Sequence, residues 1–322
     1  MEDLERLAAK SRAIHRAFLE AIEPHRAELW RYCRRLTGSP WDAEDLVQEA
    51  LTRAFGALSL VWQPTEPRAY LFCVAANTWI DAVRRAERAR RAASATGRGG
   101  PPGGERGEDL AGASTGDSTD GIEQVDFVAT SLSASQTAIV LLVDAFDFRI
   151  EEVAQMVDVT PAAVKGALQR GRANLRARAA DAPVRAVRRS PPNELVARFI
   201  DAFNRRDIET IAALYAVDGT ADIVGVGVLR GRSTIHDDAL SQWKADPRPQ
   251  RAEAGEFAGE GVVFVFEPAD DGAERLHRVD RYRERDGVLQ STRTYYYTRE
   301  VVAEAGAALG LAYATHSRIT TG

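Results

Sequence analysis

The side chains with the clearest chemical meaning lie in TPAAVKGALQRGRANLRAR, residues 160–178. Thr160 suits a helix cap and Pro161 the first helical position. A period of 3.6 then gathers Val164, Leu168 and Leu175 on one face. Ala162, Lys165, Gln169 and Arg172 fall on the opposite face. Lys and Gln there can read base edges, while Arg170, Arg172 and Arg176 can neutralise phosphates. A short helix expected over Ile150–Val157 precedes this one across a tight turn at Asp158-Val159, which is helix-turn-helix spacing. Asp158 stands where Gly is commoner, and Asp tolerates left-handed backbone. Taken alone, the motif also fits an ordinary surface helix with a solvated basic face.

Other clusters invite the same question. Arg84, Arg85, Arg88, Arg90 and Arg91 form a second basic group, and acidic residues crowd 42–49. Trp62 and Trp79 offer faces on which an unstacked base can rest, at ~1–3 kcal/mol per base. Trp79 also falls on an apolar helix face, where a core role is the plainer reading. Towards the C-terminus Asp222, His236, His277, Asp280, Arg281 and Tyr295 are candidates for a pocket lining. Neighbouring strand residues face opposite ways, so only one of Asp280 and Arg281 can enter such a pocket. No nucleophile, acid/base pair or metal cluster is specified, so neither a catalytic residue nor a cofactor is expected. Cys33 and Cys73 have no metal-binding spacing and read as buried thiols in a reducing compartment.

The elements that must position these groups come in three blocks. Residues 11–91 read as helices. Ser39-Pro40-Trp41-Asp42 starts one of them, with Leu46, Val47, Ala50, Leu51, Ala54, Phe55 and Leu58 at helical spacing. Gln63–Pro67 breaks the pattern. In the helix that follows, Tyr70, Leu71, Val74, Ala75, Thr78, Trp79, Ala82 and Val83 share one face, and Asn77, Asp81, Arg84, Arg85 and Arg88 the other. Residues 92–125 are rich in Gly, Pro, Ser, Thr and Asp and cannot bury enough surface to offset their ordering entropy, so they read as a flexible acidic linker. Residues 126–182 are helical again, and Arg185–Pro192 is a shorter basic linker. Residues 193–299 then change character. Two amphipathic helices precede strand-like runs at Ala221–Leu229, Val262–Glu267, Leu276–Arg285 and Val288–Thr298, with hairpin turns at Asp271-Gly272 and Asp286-Gly287. That order is an α+β pattern. Residues 300–322 read as a C-terminal helix and tail.

Composition limits the possibilities. A chain of 322 residues suggests two or three domains. Its net charge of −5 argues against a free-standing, non-specific nucleic-acid binder. Basic patches separated by acidic stretches suit DNA contacts made with help from a larger partner. No run approaches the ~20 apolar residues of a membrane span, and the charged N-terminus has no signal segment, so a cytoplasmic protein without a membrane partner is expected.

Three segments together carry a resemblance. DAEDLVQEALTRAFGAL (42–58) resembles the sigma region 2 helix that binds the polymerase clamp. EPRAYLFCVAANTWIDAVRRAERARR (66–91) resembles the helix that reads and opens the −10 promoter element, and residues 131–178 resemble sigma region 4, which reads the −35 element. Their order and the linker between them are those of extracytoplasmic-function sigma factors of the sigma-70 family. The resemblance implies two all-α domains: residues 11–91 as region 2 and 126–182 as the helix-turn-helix region 4. It implies that Asp42, Asp45, Gln48 and Glu49 dock on core RNA polymerase. Asn77, Asp81, Arg84, Arg85 and Arg88, with Trp62 and Trp79, would hold the −10 strands. Thr160, Ala162, Lys165, Gln169, Arg170, Arg172 and Arg176 would meet −35 DNA. The loop Ser59–Pro67 corresponds to the family's base-capture loop. Residues 193–235 resemble the start of the SnoaL-like fold, a cone-shaped α+β domain, here expected over 193–299. It implies regulation through a small-molecule ligand or through intramolecular contact with the DNA-binding domains.

Promoter elements ~17 base pairs apart lie roughly 60 Å apart at ~3.4 Å per pair. The linker can stretch to roughly 105 Å but relaxes to nearer ~30 Å, so it bridges the elements only when held open on a partner. A polymerase-independent helix-turn-helix regulator needs only residues 131–178 and leaves 42–91 unexplained. An enzyme built on the C-terminal domain is the reading of another class.

Overall fold

A computed structural model of the chain describes residues 2–57, 66–96, 133–178 and 192–314. It divides into two compact units, Met1–Asp181 and Ala182–Gly322.

The first unit is helical. α1 (Glu2–Thr37), α2 (Pro40–Ala57) and α3 (Pro67–Thr96) come first, then α4 (Ala134–Asp144), α5 (Ile150–Met156) and α6 (Pro161–Arg178). The α1 helix begins nine residues before position 11, and α3 runs five residues into the span read as linker. Ala92, Ala93 and Ala95 are strong helix formers and carry it to Thr96. Positions 97–125 of that linker and 185–191 of the shorter one lie outside the described residues. Leu29, Tyr32, Cys33 and Leu36 of α1 pack with Trp41, Val47 and Ala50 of α2 and Leu71, Phe72 and Ala75 of α3, all buried. One ion pair is buried with them: Arg26 Nη2 lies 2.8 Å from Glu44 Oε1, with side chains 10% and 0% exposed. The start of α4 is fixed by a capping box between Ser133 and Gln136.

The second unit is α+β, as expected. Helices α7 (Glu194–Asn204) and α8 (Ile208–Leu214) lead into β1 (Tyr215–Ile223) and β2 (Gly227–Arg230). Next comes a helical stretch, α9, made of Arg232–Thr234, the π-helical Ile235–Leu240 and Ser241–Ala245. Strands β3 (Arg251–Phe257), β4 (Glu260–Pro268), β5 (Glu274–Arg285) and β6 (Val288–Tyr295) follow, then α10 (Arg299–Leu309) and β7 (Ala312–Tyr313). The sheet order is β2-β1-β6-β5-β4-β3, with β7 beside β5. β3 to β6 form an antiparallel meander, and β1 runs parallel to β6.

The run expected as a single strand over Ala221–Leu229 is a hairpin that turns at Gly225, where φ is +79°. The turns at Asp271-Gly272 and Asp286-Gly287 are present, with φ of +54° and +74° at the second. Leu195, Val196 and Phe203 of α7, Ile211 and Leu214 of α8 and Ile235 of α9 bury one face of the sheet against Ala252, Val263, Val265 and Leu289. The alternate residues Val262, Phe264, Phe266 and Val279 are buried as well, so both faces of β4 are covered, and α10 packs against β5.

Candidate nucleic-acid interface

Local chemistry builds the helix-turn-helix. The α5 helix ends at Met156, and the chain reverses with Asp158 in the left-handed region at φ +50°. Val159 N–H closes the turn onto the Ala154 carbonyl at 2.9 Å. Thr160 Oγ1 then accepts from the Ala163 N–H at 3.2 Å and caps α6. Val164, Ala167 and Leu168 are buried, which leaves Ala162, Lys165, Gln169 and Arg170 exposed along the opposite side. Arg172 is exposed too, but its guanidinium is held by Asp144 of α4 at 2.5 and 2.8 Å. The expected phosphate contact therefore competes with a carboxylate already in place. Arg176 lies on α6, with its side chain outside the described residues.

On α2, Asp42, Asp45 and Gln48 are half-buried and Glu49 is exposed. Glu49 accepts from Arg53 Nε at 2.6 Å, and Gln48 Nε2 donates to Glu44 at 2.5 Å. Glu44 is the residue that sequence reasoning passed over. Its position three residues before Val47 and seven before Leu51 places it on the apolar side, and that spacing was visible.

On α3, Asn77, Asp81, Arg84, Arg85 and Arg88 are exposed. Trp79 is only 4% exposed, so it belongs to the core and is unavailable for stacking on a base. The cause is its place between Ala76 and Val83 on the helix's buried stripe. Trp62 and positions 59–65 of the expected base-capture loop lie outside the described residues.

The same helix is in contact with α4, α5 and their connecting turn. Asn77 Nδ2 donates to the Met156 carbonyl at 2.8 Å, and Arg84 Nη2 donates to Ser135 Oγ at 3.3 Å. Arg68, which sequence reasoning did not single out, forks onto Glu28 at 2.6 and 2.8 Å and donates to the Phe146 carbonyl at 2.7 Å. Its guanidinium lies 4.2 Å from the Phe148 ring centre. This pairing holds the Glu28 carboxyl below its usual range, chiefly through the hydrogen bond from Arg68.

Of the five expected pocket residues of the second unit, Arg281 and Tyr295 meet, Asp222 lies on their side of the sheet, and His236 and His277 make their contacts elsewhere. Arg281 lies opposite Val262 and Arg293 in the sheet register, and its side chain meets Glu260 at 2.7 and 2.8 Å and Tyr295 Oη at 3.2 Å. Asp222 accepts from Arg293 at 2.9 Å on that same side. His236 sits on α9 between Glu209 and Asp237, at 3.0 and 2.8 Å, and those carboxylates raise its pKa. His277 occupies a bulge in β5, fully buried, with Nδ1 2.8 Å from Glu267 Oε2. Of the alternating pair it is Asp280 that faces the helices, opposite Val263 and bonded to Arg278 Nε at 3.1 and 3.2 Å. A recess there, lined by Val196, Phe199, Val263, Asp280, Arg281, Tyr282, Leu289 and Thr292, has room for about one water. Among the described residues no group of three or more His, Cys, Asp or Glu can hold a metal, and no helix is long and apolar enough to cross a membrane.

Comparison with known proteins agrees with the helical surfaces just described. Residues 21–89 match Sigma-70 region 2, and residues 123–175 match Sigma-70, region 4. The chain is 34% identical to the ECF RNA polymerase sigma factor SigG of Mycobacterium tuberculosis over 226 residues, which is 62% of this chain and 60% of that protein. It is similar in structure to the extracytoplasmic function sigma factor SigJ of the same organism, with 23% identity and a TM-score of 0.29, over 86% of this chain and 95% of that one. A Catenulispora acidiphila protein of ketosteroid isomerase-like fold, solved with trimethylamine, matches at 19% identity and a TM-score of 0.28, over 36% of this chain and 95% of that one. The chain thus spans about three-fifths of the length of the curated relative SigG.

Proposed function

We propose that this chain, which carries sigma-70 regions 2 and 4, binds core RNA polymerase in the cytoplasm, directs it to particular promoters and helps to open them. The observation that carries the reading is the coexistence of a capped, outward-facing recognition helix with a region 2 helix pair on one chain, in the family's order. Lys165 and Gln169 are the base-reading residues of α6, Thr160 and Ala162 flank them, and Arg170 and Arg176 neutralise phosphates. Arg172 joins them once it leaves Asp144. Asn77, Asp81, Arg84, Arg85 and Arg88 take the −10 strands. Asp42, Asp45, Gln48 and Glu49 dock on the basic clamp of the polymerase.

The chain makes and breaks no bond in this reading. Its second unit, a SnoaL-like domain over 193–299 followed by residues 300–322, regulates the first. Run-off transcription with purified core polymerase and the chain's own upstream region as template tests the proposal. A promoter-dependent product is expected, and its yield should change when residues 193–322 are deleted. No product from any candidate promoter rejects the assignment, and equal yields reject the regulatory role.

A charge-reversed double variant, Asp45→Arg with Glu49→Arg, should bind core polymerase about 10–100-fold more weakly, because like charges then face each other across the interface. Both side chains reach the surface of α2, so helicity should be unchanged. Equal affinity in a pull-down titration would reject that docking face.

A further inference from the structure

We infer that Asp144, the last residue of α4, determines specificity: it cancels the charge of Arg172 on the recognition helix until a correctly placed phosphate takes over. The inference rests on the reading of α6 as the helix that meets −35 DNA.

Asp144 stands where a carboxylate does little for its own helix. The C-terminus of a helix carries the negative end of its dipole and disfavours an acid. α4 ends at this residue. What Asp144 has instead is Arg172, twenty-eight residues further on, whose Nε and Nη2 donate to its two carboxylate oxygens at 2.8 and 2.5 Å. The fold does not depend on that fork. α4 and α6 pack against each other, and Val140, Leu142, Val164 and Leu168 are buried without it. A residue that breaks a local rule with no gain in packing is a mark of function.

The pair lies at the rim, with the Asp144 and Arg172 side chains 31% and 50% exposed. Water screens a pair so exposed, and a phosphate displaces the carboxylate at a cost of no more than about fivefold in affinity. While the fork is closed, the Nε–Nη2 edge of the guanidinium is occupied. The other edge stays open, but a phosphate approaching there meets a pair with no net charge. Lys165 and Arg170 are exposed on the same helix and keep their charge for DNA.

The two kinds of DNA then differ. On a wrong sequence no base-edge contact seats α6, Arg172 stays with Asp144, and one phosphate is left unneutralised. On the −35 element Lys165 and Gln169 fix the depth and register of α6, and the phosphate held at Arg172 replaces the carboxylate. Asp144 thereby withholds a sequence-independent contact from wrong sites and releases it at right ones.

Salt dependence reads this directly, because each phosphate neutralised adds about 0.9 to the slope of log K against log[salt]. Holoenzyme made from core polymerase and the full chain is titrated between about 50 and 200 mM salt on two duplexes. One is a promoter fragment that gives a run-off product, and the other is that fragment with its −35 element scrambled. Asp144→Asn should steepen the slope on the scrambled duplex by about 0.9, and that on the promoter by less than about 0.3. Arg172→Ala should flatten the promoter slope by about 0.9, and in its background Asp144→Asn should steepen neither. Equal steepening on both duplexes, no steepening on either, or a gain that survives without Arg172 overturns the inference. Melting of the full chain tests the structural alternative. Asp144→Asn should leave Tm within about 2 °C, and a larger fall makes the pair a structural one and overturns the inference. Failure to obtain any run-off product rejects the polymerase reading instead, and the inference with it.

Discussion

Arg26→Met is expected to lower the stability of the first unit by about 3–5 kcal/mol, the usual cost of stranding one partner of a buried ion pair. Glu44 has no exposed side-chain surface, and its Oε1 accepts from Arg26 at 2.8 Å and from Gln48 at 2.5 Å. Without the guanidinium, the carboxylate keeps one amide donor and no counter-charge. The paired variant Arg26→Met with Glu44→Met should recover most of the loss, because two apolar side chains of similar volume replace two desolvated charges. Guanidinium unfolding followed through the buried Trp30, Trp41 and Trp79 gives the measurement. A loss below ~1 kcal/mol in the single variant would show that the pair has no structural importance. The effect should reach function, because Arg26 and Glu44 join α1 to α2, the helix that presents Asp45 and Glu49.

In the second unit, Glu267→Leu should have a comparable effect, about 3 kcal/mol, or a fall in Tm of roughly 6–12 °C. Glu267 is 2% exposed, with Arg275 Nη2 at 2.8 Å and His277 Nδ1 at 2.8 Å. The neighbouring bonds specify the histidine's tautomer. Gln250 Oε1 accepts from the Trp243 indole N–H at 2.8 Å, so its amide nitrogen faces His277 Nε2 at 3.2 Å. Nε2 must then accept, which leaves the proton on Nδ1, the nitrogen that lies 2.8 Å from Glu267 Oε2. Leucine at 267 removes the carboxylate beside His277 and the counter-charge of Arg275 together. Trp243 lies on the same chain of bonds, so its fluorescence should report the melting. A fall in Tm of less than 2 °C would mean that the network contributes little.

The helices were legible because several signals coincided. Thr160, Pro161 and the Val164–Leu168 period agree with one another, and the cap and buried stripe follow from them. The sheet was harder to read. β3, Arg-Ala-Glu-Ala-Gly-Glu-Phe, has no β-branched residue and is a strand only because β4 supplies its partners. The unbroken apolar run from Ile223 to Leu229 hid the hairpin, since a reversal at Gly225 leaves no gap in hydrophobicity. His277 escaped a reading by strand faces for a related reason. Strand spacing fixes which residues share a face only while the register holds, and the bulge at His277 shifts it. The meeting of Phe146 and Phe148 with Phe72 left no local trace, because its partners lie about seventy-five residues apart in the chain.

The parallel pairing of β1 with β6 dictates when the second unit can take shape during synthesis. Tyr215 lies beside Leu289, more than seventy residues further on. At ~5–20 residues per second a ribosome needs roughly 4–15 s to cover that interval. The helical half has emerged by then, while the strand that completes the centre of the sheet is still being translated. A message cut short anywhere before that strand would release a usable amino-terminal half attached to an unfinished, sticky sheet.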